Sequence, residues 1–279
     1  MLSLLILAAT PAAPADCMDR VLDYRTWREE PGQIWDFRWP GQGQASLTMI
    51  GSTHSRSTDD PQFARIAAAF EAARPTVAFF EGPDRGAADS AEETIRTRGE
   101  SGYLRFLAAQ AGMAVRSLEP APPQQIGALL REFPLDQVLL FFTLRETARM
   151  RDREQLSGAA LDGAVSTLLG RMAPLAAAGG FTLPFADIAG LEAAAKRYWP
   201  AQDWRALPAG WFSPLADDAE TGGVFLGAIN RADSTNRNRH MVRLLSEAVA
   251  AGERPFAVVG RNHVPMQAPA LACALAAPR

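Results

Sequence analysis

Four short strand-like runs constrain this chain most, because they alternate with stretches of helical spacing. Residues 46–50 lead into Gly51, 76–80 into Glu81-Gly82-Pro83, 114–118 into Glu119-Pro120, and 255–259 into Gly260. The first is apolar in the pattern of a buried strand, and the others read as strands of one sheet covered on both faces. Between the first two, Pro61 opens a helix to about Arg74 with Phe63, Ile66, Ala67 and Phe70 at helical spacing. Ser90 with Glu93 forms a capping box opening a helix towards Ala111, stopped by Gly112. A further helix from about Thr235 to Ala251 stops at Gly252 and precedes the fourth run. This alternation predicts an α/β fold, a mixed, mostly parallel central sheet flanked by helices. From about 122 to 210 the pattern is helical only (135–153, 161–178, 191–198), a helical insertion between the two halves of one domain covering 16–279.

Composition removes several function classes. With 28 basic against 31 acidic residues the net charge is −3, which argues against a nucleic-acid partner. Lys196 is the sole lysine, so no Gly-Lys-Ser/Thr phosphate loop exists and a Schiff base could form only there. Cys17 and Cys273 are too few for a cysteine-rich zinc site. The motif Gly-x-Ser-x-Gly is absent, and Ser55 and Ser57 lack the flanking glycines of a nucleophile elbow.

Residues 2–9 form an unbroken apolar or small stretch, and Ala13-Pro14-Ala15 supplies a small-x-small cleavage pattern. No basic residue precedes Leu2, so either the chain starts further upstream or the free amine supplies the charge. The run is shorter than the ~20 residues that span a bilayer. A signal peptide over 1–15 and a periplasmic or secreted mature protein are expected, without stable membrane insertion. In an oxidising compartment Cys17 and Cys273 could pair, or remain two free thiols.

The strand–Gly–x–x–His ending occurs twice, as Gly51-Ser52-Thr53-His54 and Gly260-Arg261-Asn262-His263. Carboxyl ends of parallel strands share one edge, where ligands bind. Glu81 and Glu119 follow the second and third runs, so four functional side chains from four strands fall on one rim. Glycine at each motif suggests a sharp turn off the strand. His240, the third histidine, reads as structural.

These residues resemble the TraB/PrgY, GumN and TIKI family, whose fold relatives include the erythromycin esterase-like enzymes. The segment from Gly51 to Glu81 looks like the family's opening. Arg237-Asn238, Met241 and Val258-Val259-Gly260-Arg261-Asn262-His263 look like its closing motifs. Arg261 and Val264 stand where the family often has a small residue and leucine. The resemblance implies a metal-dependent, peptidase-like hydrolase with His54, Glu81, Arg237 and His263 at functional positions.

The chemistry fits such a reading. Two imidazoles and a carboxylate (His54, His263, Glu81) suit a divalent metal, Zn, Mn or Co, with positions open for water. Arg237 would stabilise an oxyanion, and Glu119 is a candidate second carboxylate, ligand or general base. The substrate would be a peptide or a small ester or amide. The same residues allow a metal-free hydrolase with His54 as general base, Glu81 orienting it, and His263 with Arg237 holding the oxyanion. They also allow a protein that binds a peptide or ligand without turnover. Trp199, Trp204, Trp211 and Phe212 could form a lid but suit packing better, and Asp217, Asp218 and Glu220 suit a solvated acidic loop better than a calcium site.

Overall fold

A computed structural model describes residues 15–41 and 45–276. The targeting-type run at 2–9 and Ala13-Pro14 lie outside the described residues. The chain divides into two compact units, Met1–Glu119 with Asn238–Arg279, and Pro120–Arg237. In chain order the first part carries α1 (Ala15–Met18), β1 (Asp36–Trp39), β2 (Leu47–Ser52), α2 (Pro61–Ala73), β3 (Val77–Phe80), α3 (Ala91–Gln110) and β4 (Ala114–Ser117). The middle holds α4 (Pro122–Leu129), α5 (Leu135–Arg153), α6 (Gly158–Gly179), α7 (Ile188–Lys196) and α8 (Asp218–Thr221). Last come α9 (Leu226–Ala250), β5 (Pro255–Gly260) and α10 (His263–Ala276). Among the described residues no helix is long and apolar enough to cross a membrane.

The α/β unit is built on a five-stranded sheet of order β1-β2-β5-β3-β4. Only β1 runs antiparallel, pairing Asp36–Trp39 with residues 47–50 of β2. The remaining pairs are parallel, and β5 lies between β2 and β3, with Ser52 opposite Gly260 and Phe80 opposite Val258. Period-two alternation splits the buried residues between two faces. Ile50, Ala78, Phe80, Phe256 and Val258 pack with Ile66 and Ala69 of α2 and Leu104 and Ala108 of α3. Met49, Phe79, Ala257 and Val259 pack instead with Met241, Val242 and Leu245 of α9 and Ala270 and Leu271 of α10. Both faces of the central strands β2, β5 and β3 are covered, which is why their sequences read as largely apolar runs, whereas the edge strands β1 and β4 are only partly buried and carry Arg38 and Arg116.

Local signals place the helices. The Asp60 carboxylate caps α2 by accepting from the Gln62 N–H, with Pro61 at its first position. Ser90 caps α3 by accepting from the Glu93 N–H at 3.2 Å. That helix is not continuous as its sequence suggests, because Gly99 departs from helical geometry at φ 64°, ψ −151°. A side chain there would be strained at that φ, and its Cβ would stand 3.1 Å from the Ser55 carbonyl oxygen.

The helical unit has its own core, in which Phe141, Leu144, Leu161, Val165, Leu169 and Leu191 are buried. Trp199, Trp204 and Phe212 belong to that core rather than to a lid, with the Trp199 indole N–H donating to the Gly222 carbonyl at 2.9 Å. The acidic group before α9 has capping work: Asp217 caps α8, and Asp218 accepts from the N–H groups of Gly227 and Ala228. These bonds satisfy helix N-terminal donors.

Cys17 on α1 and Cys273 on α10 form a disulfide, with Cα atoms 5.5 Å apart and 256 residues between them in sequence. Closing so long a loop removes unfolded-state entropy worth about 5 kcal/mol in the chain-entropy limit. Reduction, or Cys273→Ser, should lower the unfolding free energy by roughly 3–5 kcal/mol in urea titrations. An unchanged midpoint on reduction would show that the bridge does not form.

Candidate active site

The sheet order brings the strand-end residues of the α/β unit to one edge. His54 stands two residues beyond β2, His263 opens α10 beyond β5, Glu81 directly follows β3, and Glu119 stands two residues beyond β4. Since β2, β5, β3 and β4 are consecutive parallel neighbours, all four residues leave the carboxyl edge in that order. Neighbouring strands are about 4.8 Å apart. Arg237 lies on α9, in the second unit, one residue before Asn238.

His54 is two-thirds exposed, with 67% of its side chain open to solvent, yet its Nδ1 stands 2.7 Å from Glu100 Oε1. The Glu100 side chain is only 10% exposed. A buried carboxylate accepts from Nδ1–H and thereby makes Nε2 the basic nitrogen of the ring. The break at Gly99, against Ser55, immediately precedes this glutamate. Gln62 fixes the preceding backbone: its Oε1 accepts from the Thr53 N–H at 2.9 Å, and its Nε2 donates to the Thr53 carbonyl at 3.0 Å.

The second histidine has a different partner. His263 Nδ1 lies 2.5 Å from Asn238 Oδ1, and its Nε2 lies 3.2 Å from Glu81 Oε1. The other oxygen of Glu81 accepts from the Gly260 N–H at 2.5 Å. Glu119 Oε1 accepts from the Gly82 N–H at 3.1 Å. Thus Glu81 meets His263, and Glu100 meets His54.

Among the described residues no group of three or more His, Cys, Asp or Glu stands close enough to hold a metal ion. Glu100 stands at His54, and Glu81 stands at His263. The motif glycines also act differently from the expected turn. Gly51 and Gly260 are still within β2 and β5, and neither has positive φ. They permit close approach instead: a Cβ on Gly51 would lie 2.7 Å from the Trp35 carbonyl oxygen, and one on Gly260 3.3 Å from Glu81 Oε2. The extra charge of Arg261 is held over the Trp35 ring and paired with Glu29 at 3.3 Å.

Glu100, Gln62 and Gln267 have no motif of their own in the sequence. The one signal for Glu100 was a glycine interrupting an otherwise helical stretch. Asn238 lies inside the quoted Arg237-Asn238 pair, but its partner on α10 follows only from the packing of α9 against β5. Comparison with family models, with curated proteins and with solved structures gave no match. The likeness to the TraB/PrgY, GumN and TIKI family accordingly rests on the motif residues.

His240 has a structural setting, with Nδ1 accepting from the Arg243 guanidinium at 2.9 Å. Burial, helped by that cation and opposed by Glu119, holds its pKa below the ordinary 6.5. Between the lowered value and 6.5 the unfolded chain binds more protons at this ring than the folded protein does. Stability therefore rises with pH through that window and falls on acidification. His240→Gln should flatten this slope in urea titrations run from about pH 5 to 7. An unchanged slope would place the pH dependence elsewhere.

Proposed function

We propose that this protein is a hydrolase of peptides or of small esters or amides, working at the carboxyl edge of its sheet with His54 as general base. The observation that carries this reading is the 2.7 Å pair of exposed His54 and buried Glu100. Glu100 orients the ring and stabilises the imidazolium that forms as Nε2 takes a proton from attacking water. The same imidazolium then returns its proton to the leaving group. Arg237 keeps the oxyanion role that the family resemblance gives it. The apolar run at 2–9 and the Cys17–Cys273 bridge support an exported protein, periplasmic or secreted.

A second reading, the metal-dependent one, has its own observation. His263 Nε2 and Glu81 Oε1 stand 3.2 Å apart, close to the ~3.3 Å separating two donors on one tetrahedral ion. A bound Zn, Mn or Co would polarise the scissile carbonyl and acidify a water. His263 and Glu81 would supply two of the ligands.

A panel of peptide, ester and amide substrates, assayed with and without exhaustive chelation, separates the readings. Under the general-base reading chelation leaves turnover intact, and His54→Ala lowers kcat by roughly 10²–10⁴-fold. Loss of turnover on chelation, restored by one of the three metals, would favour the metal reading. A pure binding protein would turn over nothing in the panel.

A further inference from the structure

Beneath His263 lies a buried polar relay. Asn238 and Gln267 are both fully buried. Gln267 Nε2 donates to Asn238 Oδ1 at 2.8 Å, and the same Oδ1 stands 2.5 Å from His263 Nδ1. The amide hydrogens of both residues also face thioether sulfurs. Gln267 Nε2 is 3.2 Å from Met241 Sδ, and Asn238 Nδ2 is 4.0 Å from Met266 Sδ.

A thioether accepts hydrogen bonds and cannot donate them. The groups facing Met241 and Met266 are therefore NH2 groups. Turning both amides over would aim two carbonyl oxygens at sulfur lone pairs. It would also put the Gln267 NH2 where its Oε1 now has no hydrogen-bond partner, leaving two buried donors unmade instead of one acceptor. The orientation with Asn238 Oδ1 towards the histidine is the one the surroundings select. An amide oxygen only accepts, so His263 Nδ1 must carry hydrogen.

We propose that Gln267, together with Met241 and Met266, is a positioning residue that locks the Asn238 amide, fixes the Nδ1–H tautomer of His263, and so makes Nε2, facing Glu81, the only nitrogen of this ring that takes a proton or a cation. With Nδ1–H given to Asn238, Nε2 faces the Glu81 carboxylate, which also only accepts, so a proton gained at Nε2 is the one this ring donates to Glu81 or to an oxyanion. The consequence for turnover rests on the hydrolase reading above; the tautomer itself does not.

The test is ring-nitrogen NMR of the full chain labelled with 15N-histidine, at a pH where the rings are neutral. With three histidines, His54→Ala and His240→Gln variants assign the signals. The wild type should show His263 wholly as the Nδ1–H tautomer. Gln267→Met, of similar shape but without the donor, frees the Asn238 amide to turn and should introduce the Nε2–H tautomer. Adding Asn238→Asp, whose carboxylate has no donor to present, should restore pure Nδ1–H. A merely structural role for Gln267 does not predict that restoration. An Nε2–H signal for His263 in the wild type overturns the proposal without reference to any variant. An unchanged tautomer in Gln267→Met, or failure of the double variant to restore it, overturns it as well. Failure of a hydrolysis assay would bear on the hydrolase reading and leave the tautomer result standing.

Discussion

Strand β5 hydrogen-bonds to β2 along one side and to β3 along the other, and the edge that gathers His54, His263 and Glu81 depends on that double pairing. Without β5, strands β2 and β3 have no hydrogen-bonded connection in this sheet order. Its six residues are almost wholly buried, and their alternate side chains enter the cores on both faces. The closing contacts are distant in sequence, since Thr48 meets Phe256. Such pairing carries a large loop-closure cost and forms slowly. The Cys17–Cys273 bridge acts on that same cost, because it ties α1 to the helix that follows β5.

Both edge histidines are fixed at Nδ1, by chemically different partners. A buried carboxylate holds exposed His54, and a buried neutral amide holds His263. The carboxylate stabilises a charged ring, which suits a group that must gain and lose a proton. The amide fixes hydrogen position without adding charge, and the charge near His263 comes instead from Glu81 at its other nitrogen. The two imidazoles, beyond the ends of neighbouring strands β2 and β5, thus differ in what lies behind them.

The sequence made the sheet legible because strands buried on both faces are apolar without interruption, and because Ser90, Pro61 and Gly112 mark helix ends by local chemistry. Edge strand β1 was not legible: Asp36–Trp39 is short, half-buried and charged, and it is a strand only because β2 offers it a partner. His54, Glu81 and His263 were legible as strand endings. Their partners were not, since Glu100 reaches His54 through a helix break, and Gln267 reaches Asn238 across 29 positions. Pairings of this kind are set by tertiary packing, which periodicity does not encode. Strand order places residues on one rim but does not say which neighbour each side chain selects.

The most direct test of the account is a double-mutant cycle between His54 and Glu100 read in turnover. If Glu100 acts only through the ring it orients, His54→Ala/Glu100→Gln should be no slower than His54→Ala alone. Losses that multiply, with the double variant slower than His54→Ala by the full factor that Glu100→Gln costs the wild type, would contradict a shared base.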